Sequence, residues 1–127
     1  MKKIEIGLNT AVDFFHTLNQ KAGWWDDPET GESLRTNPYV IGTKLGLIHS
    51  EISEALEAYR KDTMDDHLPN RRGVAVELAD AFIRLFDICG VLGIDNIGTV
   101  IIEKHNYNQK RADHKVDNRR KKGGKKF

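Results

Sequence analysis

Apolar positions recur at three- and four-residue spacing in four segments of the chain, and strict alternation never runs for a useful length. The pattern predicts an all-α protein. A first helix is expected over about residues 3–20, with Ile4, Leu8, Ala11, Val12, Phe15 and Leu18 on one face, although Gly7 and Asn9 weaken its first turns. The polar connection KAGWWDDPETGESLRT follows. Loops of that length in a helical domain are usually functional or disordered. Asn37-Pro38 is a strong start signal, since Asn caps orphan N–H groups and Pro in the first turn has no N–H to lose. The second helix should run to Lys61 with Ile41, Leu45, Ile48, Ile52, Ala55, Leu56 and Tyr59 on its stripe. Beyond the polar loop DTMDDHLPN, a third helix is expected over 71–91, striped by Val74, Leu78, Ala81, Phe82, Leu85, Cys89 and Leu92, with Gly93 ending it. Asp95 is the expected cap of a fourth helix over 96–111, turning Ile97, Val100, Ile101 and Tyr107 inward. Short links between such helices predict an antiparallel four-helix bundle.

The chain has 127 residues, 39% of them hydrophobic and 31% charged, a balance of one small globular domain and not of a disordered or membrane protein. A bundle this small with wide apolar stripes is expected to pair into a homodimer or homotetramer through its helix faces. The single cysteine, Cys89, closes no disulfide within the chain and fits a reducing compartment. No run of about 18 apolar residues and no signal-peptide pattern is visible, so a cytoplasmic protein without membrane contact is expected. The overall charge of +1 hides an asymmetry, because residues 110–127 carry nine Lys/Arg against two Asp and leave a net −6 on residues 1–109. The expected organisation is therefore a helical domain over 1–112 and a basic tail over 113–127. That tail is either a solvated terminus or the one place where nucleic acid would bind.

The most informative pattern is a near repeat between the second and third helices. Residues 51–59 read EISEALEAY and residues 77–85 read ELADAFIRL, so Glu51 and Glu54 recur 26 positions later as Glu77 and Asp80. At about 100° per residue, each pair of acids lies on one border of an apolar stripe. If the two stripes face each other, four carboxylates converge and repel one another unless a cation joins them. Mg²⁺ suits such a set, since it takes hard oxygen ligands and keeps room for water and substrate phosphates; Mn²⁺ is a possible substitute. A lone acid-x-x-acid pair is usually only a solvated edge, as expected of Glu57, which can pair with Lys61 four residues on. Two pairs at one offset from the stripe are harder to dismiss.

The segments GWWD (23–26), LIHSEISEALEAYR (47–60), VELADAFIRL (76–85), EKHNYNQKR (103–111) and GGKKF (123–127) resemble, in that order, the MazG-like nucleoside triphosphate pyrophosphohydrolases of the all-α pyrophosphatase superfamily. Many family members have Glu-Glu where this chain has Ser50-Glu51, and ADHKVDNRRKK here separates Arg111 from the GGKKF ending. The resemblance implies an oligomeric helical bundle that cleaves a nucleotide between its α- and β-phosphates, with Glu51, Glu54, Glu77 and Asp80 as the Mg²⁺ ligands. It leaves dUTPase-like and phosphoribosyl-ATP pyrophosphohydrolase activities open.

Phosphoryl chemistry of this kind depends on positioning and charge stabilisation, with a carboxylate accepting the water proton. Glu54 is the preferred base and Glu51 the other candidate. Lys104, Asn108 and Arg111 recur at i, i+4 and i+7 and offer donors to phosphate oxygens, or else form an ordinary solvated face. Trp24 and Trp25 either stack on a nucleobase or anchor the long loop. Five scattered histidines read as surface or packing residues, and Asp65-Asp66-His67 as a capped or solvated loop. From a different class, a non-enzymatic helical module that binds nucleic acid through the basic tail is the alternative.

Overall fold

The computed structural model describes all residues, 1–127, and contains helices without strands. They are α1 (Lys2–Lys21), α2 (Pro38–Lys61), α3 (Gly73–Val91), α4 (Ile97–Lys110), a 3₁₀ turn (Ala112–His114) and α5 (Val116–Arg120). The protein is all-α, as its spacing predicts, and α5 adds a short helix within the expected tail. The chain divides into two compact units, one formed by Ala11–Asp95 and one by Met1–Thr10 with Asn96–Phe127. That division falls within α1. No helix is long and apolar enough to cross a membrane.

Within the Ala11–Asp95 unit, α2 begins where its start signal lies. The Asn37 side chain accepts from the Tyr39 and Val40 N–H groups at 3.0 and 3.3 Å, and Pro38 occupies the first turn. Asp62 ends the helix in the left-handed region at φ 50°, its N–H reaching the carbonyls of Ala58 and Tyr59. Helix α3 then returns antiparallel, so that Gly73 lies against Ala58 and Arg84 against Glu51.

The buried line shares Ala55, Ala81 and Cys89 with the expected stripes and departs from them elsewhere. On α2 it contains Glu51 and Ala55, and on α3 it contains Gly73, Ala81, Asp87, Ile88 and Cys89. Leu45, Ile52, Leu56 and Tyr59 of α2, with Leu78, Phe82, Leu85 and Leu92 near α3, remain exposed. Small residues allow the two helices to approach closely, and the bulky apolar side chains are left on the flanks. Glu51 consequently sits in the packed face itself and not only at its rim.

The second half of α1 joins α3 through aromatic contacts and one close approach. Phe15 and Phe86 stack with ring centroids 5.9 Å apart, and Phe82 follows at 6.3 Å from Phe86. At Gly90 an added Cβ would overlap the Cβ and Cγ of His16, so only glycine admits His16 there.

In the other unit, Asn96 occupies the cap position of α4, not Asp95 as expected, and makes no capping hydrogen bond with its side chain. The orphan N–H of Gly98 is served by Asn9 of α1, whose Oδ1 accepts it at 2.8 Å. A Cβ at Gly98 would overlap the Glu5 backbone. Val100, Ile101 and Tyr107, expected to face inward, are exposed instead. The basic segment folds back on itself: Asn118 donates to the Ala112 carbonyl at 2.8 Å, and the Arg119 guanidinium donates to the Lys125 and Lys126 carbonyls at 3.2 and 2.9 Å.

Candidate active site

The antiparallel register of α2 and α3 brings the repeated acids together. Carboxylate oxygens of Glu51, Glu77 and Asp80 all lie within 4.8 Å of one another. Glu54 stands outside that trio, exposed, yet close enough for its charge to act on Glu77. Desolvation pushes the Glu77 carboxyl above its usual range, and the charges of Glu54, Glu51 and Asp80 push it further. Asp80 is raised as well, first by desolvation and then by Glu51, while Arg84 opposes the shift. These groups are short of positive charge.

The donor set fits a small hard cation. Magnesium–oxygen bonds of about 2.1 Å set ligand oxygens about 3 Å apart at adjacent octahedral corners and about 4 Å apart at opposite ones. The oxygens of exposed Asp80, half-buried Glu77 and buried Glu51, all within 4.8 Å of one another, lie near that spacing. All the donors are carboxylate oxygens, which disfavours a soft metal.

Beside the acids opens a cleft of about 250 Å³ whose lining includes Trp24, Lys44, Glu51, Asp80 and Arg84. Two cations therefore face the same space as two of the acids. Arg84 Nε donates to Glu51 Oε1 at 2.6 Å. Lys44 Nζ donates to the Trp24 carbonyl at 2.7 Å and stands 4.3 Å from the centre of the Trp25 ring. Burial pushes the Lys44 ammonium below the ordinary lysine value, with Asp87 opposing the shift and Arg84 adding to it.

The wall of the cleft is fixed by a second buried carboxylate, Asp87. Its Oδ1 accepts the Trp25 indole N–H at 2.9 Å and meets His16 Nδ1 at 2.8 Å. Arg35 stands 3.3 Å from His16 Nε2. A guanidinium only donates, so Nε2 accepts and the ring proton sits on Nδ1, directed to Asp87. This knot ties the 22–37 loop to α1 and α3. The loop closes on itself as well, since Asp27 Oδ1 accepts from the Glu29 and Thr30 N–H groups at 2.8 and 2.9 Å and Gly31 turns at φ 74°.

The two tryptophans divide the roles open to them. Trp25 is 0% exposed and anchors the loop, its N–H spent on Asp87 and its face covered by Lys44, so it offers no free face for a base. Trp24 is 66% exposed at the cleft.

Lys104, Asn108 and Arg111 belong to the other compact unit. There Lys104 lies 4.9 Å from the Tyr107 ring centre, and Asn108 Oδ1 is buried without a partner. Arg111 falls just beyond α4 and grips Asp113 through two hydrogen bonds of 3.0 and 2.8 Å. Glu57 and Lys61 form the expected exposed pair at 3.0 Å. Asp65 caps its loop, with Oδ2 accepting from the His67 and Leu68 N–H groups. Cys89 is buried, and desolvation raises its thiol, so no reactive thiolate is prepared there.

No protein-family model, curated protein or solved structure matches this chain. Lys44, Arg84 and Asp87 were not singled out from sequence, but a signal exists: Lys44 precedes Glu51 by seven residues and Asp87 follows Asp80 by seven, so each continues an acid-bearing face.

Proposed function

We propose that the protein is a divalent-cation-dependent nucleotide pyrophosphohydrolase of the MazG-like kind, which releases pyrophosphate from a nucleoside triphosphate or a modified relative. The observation that carries this reading is the convergence of Glu51, Glu77 and Asp80 within 4.8 Å beside a cleft that also presents Lys44, Arg84 and exposed Trp24. Acids to hold a cation, cations to hold phosphates and an aromatic face for a base are the three needs of a metal–nucleotide substrate.

In this reading Glu51, Glu77 and Asp80 hold Mg²⁺, and Glu54, next to the trio and open to solvent, takes the proton of the attacking water. Bound Mg²⁺, or Mn²⁺ in its place, supplies charge neutralisation of the phosphates and acidification of water. Lys44 and Arg84 bind non-bridging phosphate oxygens, and Trp24 stacks on the base. Lys104, Asn108 and Arg111 keep their place in the proposal as substrate contacts only from the sequence pattern. The antiparallel bundle and its assembly as a homodimer or homotetramer belong to the same proposal, supported by the exposed Leu45, Ile52, Leu56, Leu78, Phe82 and Leu85 side chains.

The test is a panel of nucleoside triphosphates assayed for pyrophosphate with Mg²⁺ and with chelator. Pyrophosphate release that needs Mg²⁺ and is lost in Glu54→Gln is the expected result. Orthophosphate as the product, or turnover indifferent to chelator, would overturn it.

A further inference from the structure

Glu51 is a buried carboxylate in a group already short of positive charge, and Arg84 is the one cation that touches it. The contact is a single bond through Nε, at 2.6 Å, and the two Nη groups of Arg84 make no hydrogen bond to the protein. The side chain is 40% exposed and lines the cleft. A guanidinium that used its full fork on a carboxylate would be a settled structural pair. Arg84 instead neutralises Glu51 with one N–H and keeps its remaining donors available.

We propose that Arg84 is an exchangeable counter-ion, bound to Glu51 when no divalent cation is present and transferred to a phosphate oxygen of the nucleotide when the cation takes that carboxylate. This rests on the metal–nucleotide reading of the site and adds a coupling to it. A divalent cation at Glu51 competes with the Nε–H for the carboxylate and repels the guanidinium a few ångströms away. With no nucleotide present, Arg84 loses its partner while still partly buried, which weakens cation binding. With a triphosphate present, the freed fork meets phosphate oxygens, the partner its geometry suits best. Each ligand thereby raises the affinity for the other through one side chain, beyond any direct metal–phosphate bond.

The experiment uses the full chain, wild type and Arg84→Gln, with Arg84→Lys as a milder variant if the glutamine protein does not fold. Mn²⁺ binding to nucleotide-free protein is followed by loss of the free-ion electron paramagnetic resonance signal. Arg84→Gln should bind Mn²⁺ about tenfold more tightly than wild type, the scale of losing one competing charge-assisted hydrogen bond. Arg84→Lys should fall between. Affinity for a triphosphate with a methylene bridge between its α- and β-phosphorus atoms is then measured in chelator and in saturating Mg²⁺, and the gain that Mg²⁺ gives should shrink about tenfold in Arg84→Gln. Unchanged or weaker Mn²⁺ binding by Arg84→Gln, as expected of a merely structural ion pair that orders Glu51, would overturn the proposal. So would an unchanged Mg²⁺ gain for the analogue. If wild type and variant both fail to bind Mn²⁺, the metal reading beneath the proposal falls with it.

Discussion

Glu51 and Asp87 are two carboxylates buried to the same degree, each 6% exposed, and they face opposite electrostatic conditions. Asp87 has fixed partners: an indole N–H and an imidazole N–H both donate to its Oδ1, and the positive charge of Lys44 acts on it as well. Glu51 meets one guanidinium and shares its space with Glu77 and Asp80. Burial alone therefore does not mark a functional acid. A carboxylate whose demand is met by fixed donors holds the fold together, whereas one left among like charges makes room for a cation from outside.

The sharpest way to break this comparison is to remove each kind of acid in turn. Asp87→Ala leaves the Trp25 and His16 donors buried without an acceptor, and should lower unfolding free energy by about 2–5 kcal/mol, about 1–3 for each orphaned donor, measured by urea denaturation. Trp25→Ala should cost a similar amount by emptying the centre of the loop anchor. If Asp87→Ala unfolds at the wild-type midpoint, the knot is not structural.

Asp80→Asn should do the reverse. Taking one charge from the self-repelling trio should leave stability equal or higher in the absence of metal, yet turnover should fall by more than about a hundredfold, since even groups that only orient metal ligands are worth 10–100-fold. Near-normal pyrophosphate release from this variant would remove Asp80 from the site. Trp24→Ala predicts a smaller change. Loss of one stacking face should weaken nucleotide affinity roughly tenfold, read by equilibrium binding, with thermal stability within about 0.5 kcal/mol of wild type.

The smallest expected effect is on the pH dependence of stability. Glu77 and Asp80 hold protons more tightly in the fold than in the unfolded chain, where their ordinary values are 4.5 and 3.8. Below those values both states are protonated and no penalty exists; as pH rises toward the higher folded values, the fold loses stability. Metal-free wild type should therefore lose stability relative to Asp80→Asn as pH climbs from about 4, and Mg²⁺ should restore it at neutral pH. Parallel stability curves for the two proteins, followed by denaturation across that range, would contradict the shared repulsion.

Much of the fold was legible because it rests on local rules. The Asn37-Pro38 start, the apolar periodicity and the Gly93 stop define α2 and α3 nearly to the residue. The capping of α4 is not legible locally, because the acceptor that serves it, Asn9 Oδ1, comes from α1 and leaves no trace near Asp95. The inward stripe is legible only in part, for a related reason. Periodicity gives the apolar side of a helix but not which part of that side meets its neighbour, and here Gly73 lies against Ala58 and Ala55 and Ala81 are buried while Leu56 and Phe82 stay exposed.

The acid repeat shows where that limit falls. Spacing along the chain determined that Glu51 with Glu54, and Glu77 with Asp80, share a helix face, because a helix fixes the angle between residues three apart whatever surrounds it. Only the tertiary structure decided that three of these oxygens meet within 4.8 Å, that Lys44 and Arg84 stand beside them, and that Trp25 is an anchor while Trp24 stays free. Those outcomes depend on the register and approach of separate helices and a loop, and no local periodicity carries that information.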